Sequence, residues 1–114
     1  MHELSVCLSL LEQVERIAAE HDAVSVERIV LKVGPLSGIE ADLLASAYPL
    51  AATGTIAADA ELVIEECGVR VRCTQCEAES DVPANRLICS ECGDFRTRVV
   101  RGEEMILQRL EFSA

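Results

Sequence analysis

The sequence predicts an α+β fold: two helices packed on a three-stranded mixed sheet, with a small four-cysteine subdomain inserted before the last strand. Three observations carry this expectation. Apolar residues near the start recur at helical spacing, three later stretches have strand character, and two Cys-x-x-Cys pairs fall between the second and third of those stretches. With 114 residues, half of them apolar, the chain can bury one compact core and a small satellite. Only Tyr48, Phe95 and Phe112 are aromatic, so the core must be aliphatic.

Leu4, Cys7, Leu8, Leu11, Val14 and Ala18 follow a three-to-four spacing, with Ser5, Ser9, Glu12, Arg16 and Glu20 elsewhere on the wheel. This is an amphipathic helix that starts almost at the first residue, with Glu12 and Arg16 as an i,i+4 pair on its exposed side. His21-Asp22 ends it, and His21 reads as a helix-end residue stabilised by the dipole rather than a ligand. From Val24 to Val33, Ile29, Leu31 and Val33 alternate with Arg28, Val30 and Lys32 as in a strand. Gly34-Pro35 breaks it. Ser37-Gly38-Ile39-Glu40 has the form of a capping box. A second helix then carries Ile39, Leu43, Leu44, Ala47 and Ala51 on one side, kinked or shortened by Pro49 and terminated by Gly54. Ala60 to Cys67 is a second strand with Leu62 and Ile64 facing one way. Glu104 to Phe112 is the last, through Ile106, Leu110 and Phe112. The expected main domain is therefore discontinuous, 1–67 plus 102–114, and residues 68–101 form the excursion.

That excursion contains Cys73-Thr-Gln-Cys76, twelve residues, then Cys89-Ser-Glu-Cys92. Each pair offers two thiolates from one tight turn, and the span between them can hold a short hairpin that brings the turns face to face. The pattern is that of a tetrahedral four-cysteine Zn(II) site in a zinc-ribbon-like subdomain. A rubredoxin-like iron site uses the same four ligands. Four thiolates leave no position for water or substrate, so the site is structural and a zinc hydrolase is not expected. Cys7 lies on the apolar helix face as a small core residue. Cys67, at a strand end, is a core residue or a thiol at the domain junction.

Charge narrows the function. The net charge is −10, but residues 69–101 hold six arginines against five acids, which leaves four basic and fifteen acidic residues elsewhere. A surface this acidic repels phosphate backbones, so no nucleic-acid partner is expected. No apolar run approaches a membrane span, and Met1-His2-Glu3 lacks the basic start of a secretory signal, so the expected location is cytoplasmic.

The N-terminus offers a second metal site. The Met1 amine, the backbone nitrogen of residue 2 and the His2 imidazole form adjacent chelate rings, and Glu3 adds a backbone nitrogen or its carboxylate. Such a set suits a d8 or d9 ion, Ni(II) or Cu(II). Met1 is expected to be retained, because His2 is too large for initiator removal. A solvated terminal histidine without a role is the competing reading. A zinc-ribbon protein-interaction adaptor without a transported metal remains the alternative for the whole chain.

Met1-His2-Glu3-Leu4-Ser5, Val33-Gly34-Pro35-Leu36-Ser37-Gly38, Ala51-Ala52-Thr53-Gly54-Thr55, Leu62-Val63-Ile64-Glu65-Glu66 and the paired Cys motifs together resemble the HypA/HybF nickel metallochaperones of [NiFe]-hydrogenase maturation. The likeness covers essentially the whole chain, in the family's order. It implies His2 as the essential nickel ligand, Glu3 and the Met1 amine as contributors, and Cys73, Cys76, Cys89 and Cys92 as structural zinc ligands. It also implies a non-enzymatic role: to accept Ni(II), work with the GTPase HypB and dock on the hydrogenase large-subunit precursor. The sequence departs from the family pattern at Glu77, where a glycine often follows the first knuckle, and at Pro49.

Overall fold

The computed structural model describes residues 3–113. Helix α1 spans Glu3–Glu20, β1 Ser25–Val33, α2 Ala41–Ala52, β2 Glu61–Glu66, β3 Val69–Cys73, β4 Glu79–Val82, β5 Thr97–Arg101 and β6 Met105–Ser113. The first sheet has the order β2-β1-β6, with β1 parallel to β2 and antiparallel to β6, so it is mixed as expected. The second, order β4-β3-β5, is antiparallel throughout. A compact chain of this length has a radius of gyration of about 13 Å. The observed 17.2 Å and extents of 52 × 26 × 16 Å describe an elongated molecule.

The core lies between the two helices and one face of the mixed sheet. Val6, Cys7, Leu10, Leu11, Val14 and Ala18 of α1 meet Ile29, Leu31 and Val33 of β1 and Leu44, Tyr48 and Ala52 of α2. The α1 stripe sits slightly off the expected one: Val6 and Leu10 are buried, while Leu8 is 51% exposed. The helix–helix contact explains the shift, because α1 must face α2 as well as the sheet. Glu12 and Arg16 form no ion pair among the described residues.

Three further expectations are corrected. Ser37 does not cap α2: the N-cap is Glu40, with no side-chain cap bond, and the Ser37 hydroxyl instead accepts from the Ile39 amide at 3.2 Å. The buried α2 face is the i,i+4,i+8 row Leu44, Tyr48 and Ala52, while Leu43 is half exposed. Pro49 does sit in the last turn, since α2 ends three residues later, and its carbonyl accepts from the Thr53 hydroxyl at 2.8 Å. On β6 the alternation changes phase. The register steps from Val30↔Arg109 to Leu31↔Leu107, leaving Gln108 as an extra residue. This bulge lets Met105 and Leu107 face the core on one side of it, and Leu110 and Phe112 on the other, while Ile106 turns outward.

The two sheets meet at a close backbone crossing. The Gly34 amide donates to the Glu104 carbonyl at 2.9 Å and the Leu36 amide to the Gly102 carbonyl at 2.8 Å. A Cβ on Gly34 would lie 2.1 Å from the Gly102 carbonyl oxygen, so only glycine fits there. Gly102 in turn lies against Val69, the first residue of β3. The Val33–Gly38 segment thus holds the chain at the point where it leaves the second sheet for β6.

Candidate metal centre

Each cysteine pair sits in a turn built the same way. The Cys73 amide donates to the Ala78 carbonyl at 2.9 Å and the Glu77 amide to the Cys73 carbonyl at 3.1 Å. In the second turn the Cys89 amide donates to the Asp94 carbonyl at 3.0 Å and the Gly93 amide to the Cys89 carbonyl at 2.9 Å. The residue after each second cysteine has a left-handed backbone, Glu77 at φ 65° and Gly93 at φ 77°. The leading sulfur of each turn accepts two backbone amides: Cys73 from Gln75 and Cys76, Cys89 from Glu91 and Cys92, at 3.3–3.5 Å. Cys73 and Cys89 are buried; Cys76 and Cys92 are exposed.

The turns face each other. Cys73 Sγ lies 3.5 Å from Cys92 Sγ and Cys76 Sγ 3.6 Å from Cys89 Sγ, and all four sulfurs lie within 4.8 Å of one another. A disulfide needs about 2.05 Å, and all four are free thiols. Tetrahedral zinc, with Zn–S bonds of about 2.3 Å, places its sulfurs roughly 3.8 Å apart. The cluster therefore fits such an ion. The expected hairpin between the pairs is replaced by a different arrangement. Strand β4 folds back on β3 across the first turn, and β5 flanks the other side of β3.

Hydrogen bonding grades the thiols. The Cys76 amide, partly offset by desolvation, holds Cys73 at about 7. The Cys92 amide lowers Cys89 in the same way. Cys92 is pushed up to about 12: the Asp94 amide pulls it down, but the Cys73 sulfur, desolvation and the other two thiols outweigh that pull. Cys76 is also raised: the Ala78 amide lowers it, but desolvation and the Cys89 sulfur push up against that. A metal entering at neutral pH thus displaces protons, from Cys76 and Cys92 above all. Arg96 stands beside the sulfurs of Cys73 and Cys92, and clamps Asp94 with guanidinium contacts of 3.0 and 2.8 Å. That clamp, with the Arg96 amide, holds the Asp94 carboxyl at about 2. Asp94 and Arg96 were not singled out by spacing, because neither belongs to the ligand motif.

At the other end, Glu3 is the first residue of α1, half-buried, in the first turn. Met1 and His2 lie outside the described residues. His21 closes α1, with Nδ1 2.9 Å from the Ile17 carbonyl and its ring 5.3 Å from that of Phe112. Cys7 is fully buried, and its Sγ contacts the Leu44 carbonyl at 3.6 Å. Cys67 is half-buried between β2 and β3, its amide on the Val33 carbonyl. Neither joins the quartet.

The family model described as "Hydrogenase/urease nickel incorporation, metallochaperone, hypA" matches residues 1–112. The chain belongs to the HypA family. Hydrogenase maturation factor HypA of Nitrosospira multiformis is 46% identical over 111 residues, covering 97% of this chain and 96% of the relative. That of Aquifex aeolicus is 38% identical with the same coverage. The solution structure of the Ni metallochaperone HypA from Helicobacter pylori superposes with a TM-score of 0.76 at 30% identity, covering 100% of this chain and 99% of that one. The HypA family is one of nickel metallochaperones for hydrogenase maturation. The cysteine quartet of this member has the composition and spacing of a zinc site. Among the described residues no helix is long and apolar enough to cross a membrane.

Proposed function

We propose that this chain binds Ni(II) at its N-terminus, through the His2 imidazole, the Met1 amine and Glu3, and delivers it to the [NiFe]-hydrogenase large-subunit precursor. What carries the reading is family membership over residues 1–112 together with the Met-His-Glu start. The position of Glu3 at the first residue of α1 supports it. The first amides of a helix lack intrahelical partners and a terminal segment is held by few contacts. A nitrogen-rich site there binds nickel and releases it by ligand exchange. Selectivity against Cu(II), favoured by the Irving–Williams order, falls to delivery and availability.

Cys73, Cys76, Cys89 and Cys92 hold a structural Zn(II), whose closed shell ties β3 and the second turn together. The chain works as two units, a discontinuous nickel-binding unit of 1–67 plus 102–114 and a zinc-binding unit of 68–101. Its partners are the GTPase HypB, which supplies nucleotide energy, and the large-subunit precursor, in the cytoplasm; it catalyses no reaction itself.

An extension at the N-terminus tests the amine. Fusing a short tag before Met1 is expected to change the absorption spectrum of the nickel-loaded protein, while the same tag after Ala114 leaves it unchanged. Identical spectra for both fusions would contradict a site that includes the Met1 amine.

A further inference from the structure

One face of the second sheet concentrates positive charge in a chain of net charge −10. The β3–β5 register sets Arg72 directly opposite Arg98, and Arg70 opposite Arg101. On the other side of β3, Arg70 faces Asp81 and Arg72 faces Glu79. Residues directly opposite across an antiparallel pair share a face, and like charges so placed destabilise the pair. The two opposed arginine pairs therefore depend on the carboxylates of β4 to offset their repulsion.

The carboxylates nearby meet this charge unevenly. Arg70 is held by Glu79 and Asp81, both at 3.1 Å, and Arg101 by Asp81 at 3.4 Å. Arg72 reaches only Glu77, at 3.9 Å, and Arg98 is exposed with no ion pair among the described residues. Between these two under-compensated guanidiniums opens a surface cavity of about 400 Å³, lined by Arg72, Cys73, Thr74, Glu77 and Arg98. Arg96, on the segment before β5, is by contrast held by Asp94 at 3.0 and 2.8 Å.

We propose that this arginine face, centred on Arg72 and Arg98, is the docking surface for an acidic segment of a partner protein. Discrete carboxylates suit it. A guanidinium takes a carboxylate through two parallel N–H···O bonds, and each side chain can enter between Glu77, Glu79 and Asp81. A phosphate backbone carries a charge at every step and cannot leave one out beside those three acids. The surface is independent of the nickel assignment, since neither Arg72 nor Arg98 belongs to the N-terminal site.

The test is a fluorescence-anisotropy titration of the full zinc-loaded chain with a labelled peptide in which glutamates alternate with serines. Saturable binding is expected, weakening as salt rises from about 50 to about 300 mM. Replacing both residues, Arg72→Glu with Arg98→Glu, is expected to weaken it at least about ten-fold. The pair Arg16→Glu with Arg109→Glu changes net charge equally, away from this face, and is expected to stay within about three-fold of wild type. Should the glutamate pair fail to retain zinc, Arg72→Gln with Arg98→Gln asks the same question at smaller charge change. No binding by wild type overturns the proposal, as does an equal loss in the control pair. Tighter binding of a labelled oligothymidylate, lost in the same Arg72 and Arg98 variants, replaces it with a nucleic-acid surface.

Discussion

Glu77 and Gly93 occupy equivalent places in the two cysteine turns, both with positive φ. A left-handed conformation costs a side-chain-bearing residue roughly 1–2 kcal/mol. The exposed 3.9 Å contact of Glu77 with Arg72 returns little of that. Glu77→Gly is therefore expected to raise the stability of the zinc-loaded protein in urea unfolding by up to about 1 kcal/mol once the added freedom of the unfolded chain is counted. Gly93→Ala should lower it by about 1 kcal/mol. A destabilising Glu77→Gly would show that the carboxylate, not the backbone, governs the position. Tyr48 has a different role: 5% exposed, it donates to the Ala57 carbonyl at 2.8 Å. Tyr48→Phe removes that bond, leaving the carbonyl to the Ala60 amide at 3.1 Å, and is expected to cost about 1 kcal/mol in chemical denaturation. The four clustered cysteines were legible from spacing because each turn is closed by backbone bonds within six residues. The hydrogen bond from Tyr48 was not, because it depends on where a later loop passes.

At the scale of elements, periodicity located both helices and the three strands of the mixed sheet, since each presents a regular apolar row to one core. Phase was harder to read. The bulge at Gln108 turns Ile106 outward, and a register step of this kind leaves no mark in the alternation of a single strand. Strand β4, Glu79–Val82, is short and polar, so its pairing with β3 follows from the turn at Cys73–Cys76 and not from its own composition. Zinc should accordingly decide whether the second sheet persists. Cys89→Ser is expected to abolish zinc retention and to collapse backbone NMR dispersion over 69–101, while α1, β1 and α2 keep theirs. Loss of dispersion throughout the chain would instead make the metal a keystone of the whole fold. Between the sheets, Gly34→Ala places a methyl against the Gly102 carbonyl, and the crossing must open. Faster amide exchange at position 34 and at Leu36 than in wild type is the expected sign.

Over the whole molecule, the elongated shape separates the two sheets, and with them a nearly balanced segment, six arginines against five acids, from an acidic remainder. The cysteine-bearing segment reaches the mixed sheet through Cys67-Gly68 and through Gly102–Glu104, and the second of these is gripped by the Val33–Gly38 segment. This geometry motivates a coupling hypothesis: nickel at the start of α1 alters the hold on that crossing. Hydrogen exchange at residues 68–72 and 98–102, with and without nickel, should then differ, and identical exchange would count against coupling by this route. In the proposed division of labour, zinc is a closed staple and nickel is cargo on the first three residues. Quantifying both metals on untagged wild type and His2→Ala, with nickel titrated by calorimetry, tests it most directly. His2→Ala is expected to lose specific nickel binding and to keep its zinc. Unchanged nickel stoichiometry and affinity in the variant would contradict it.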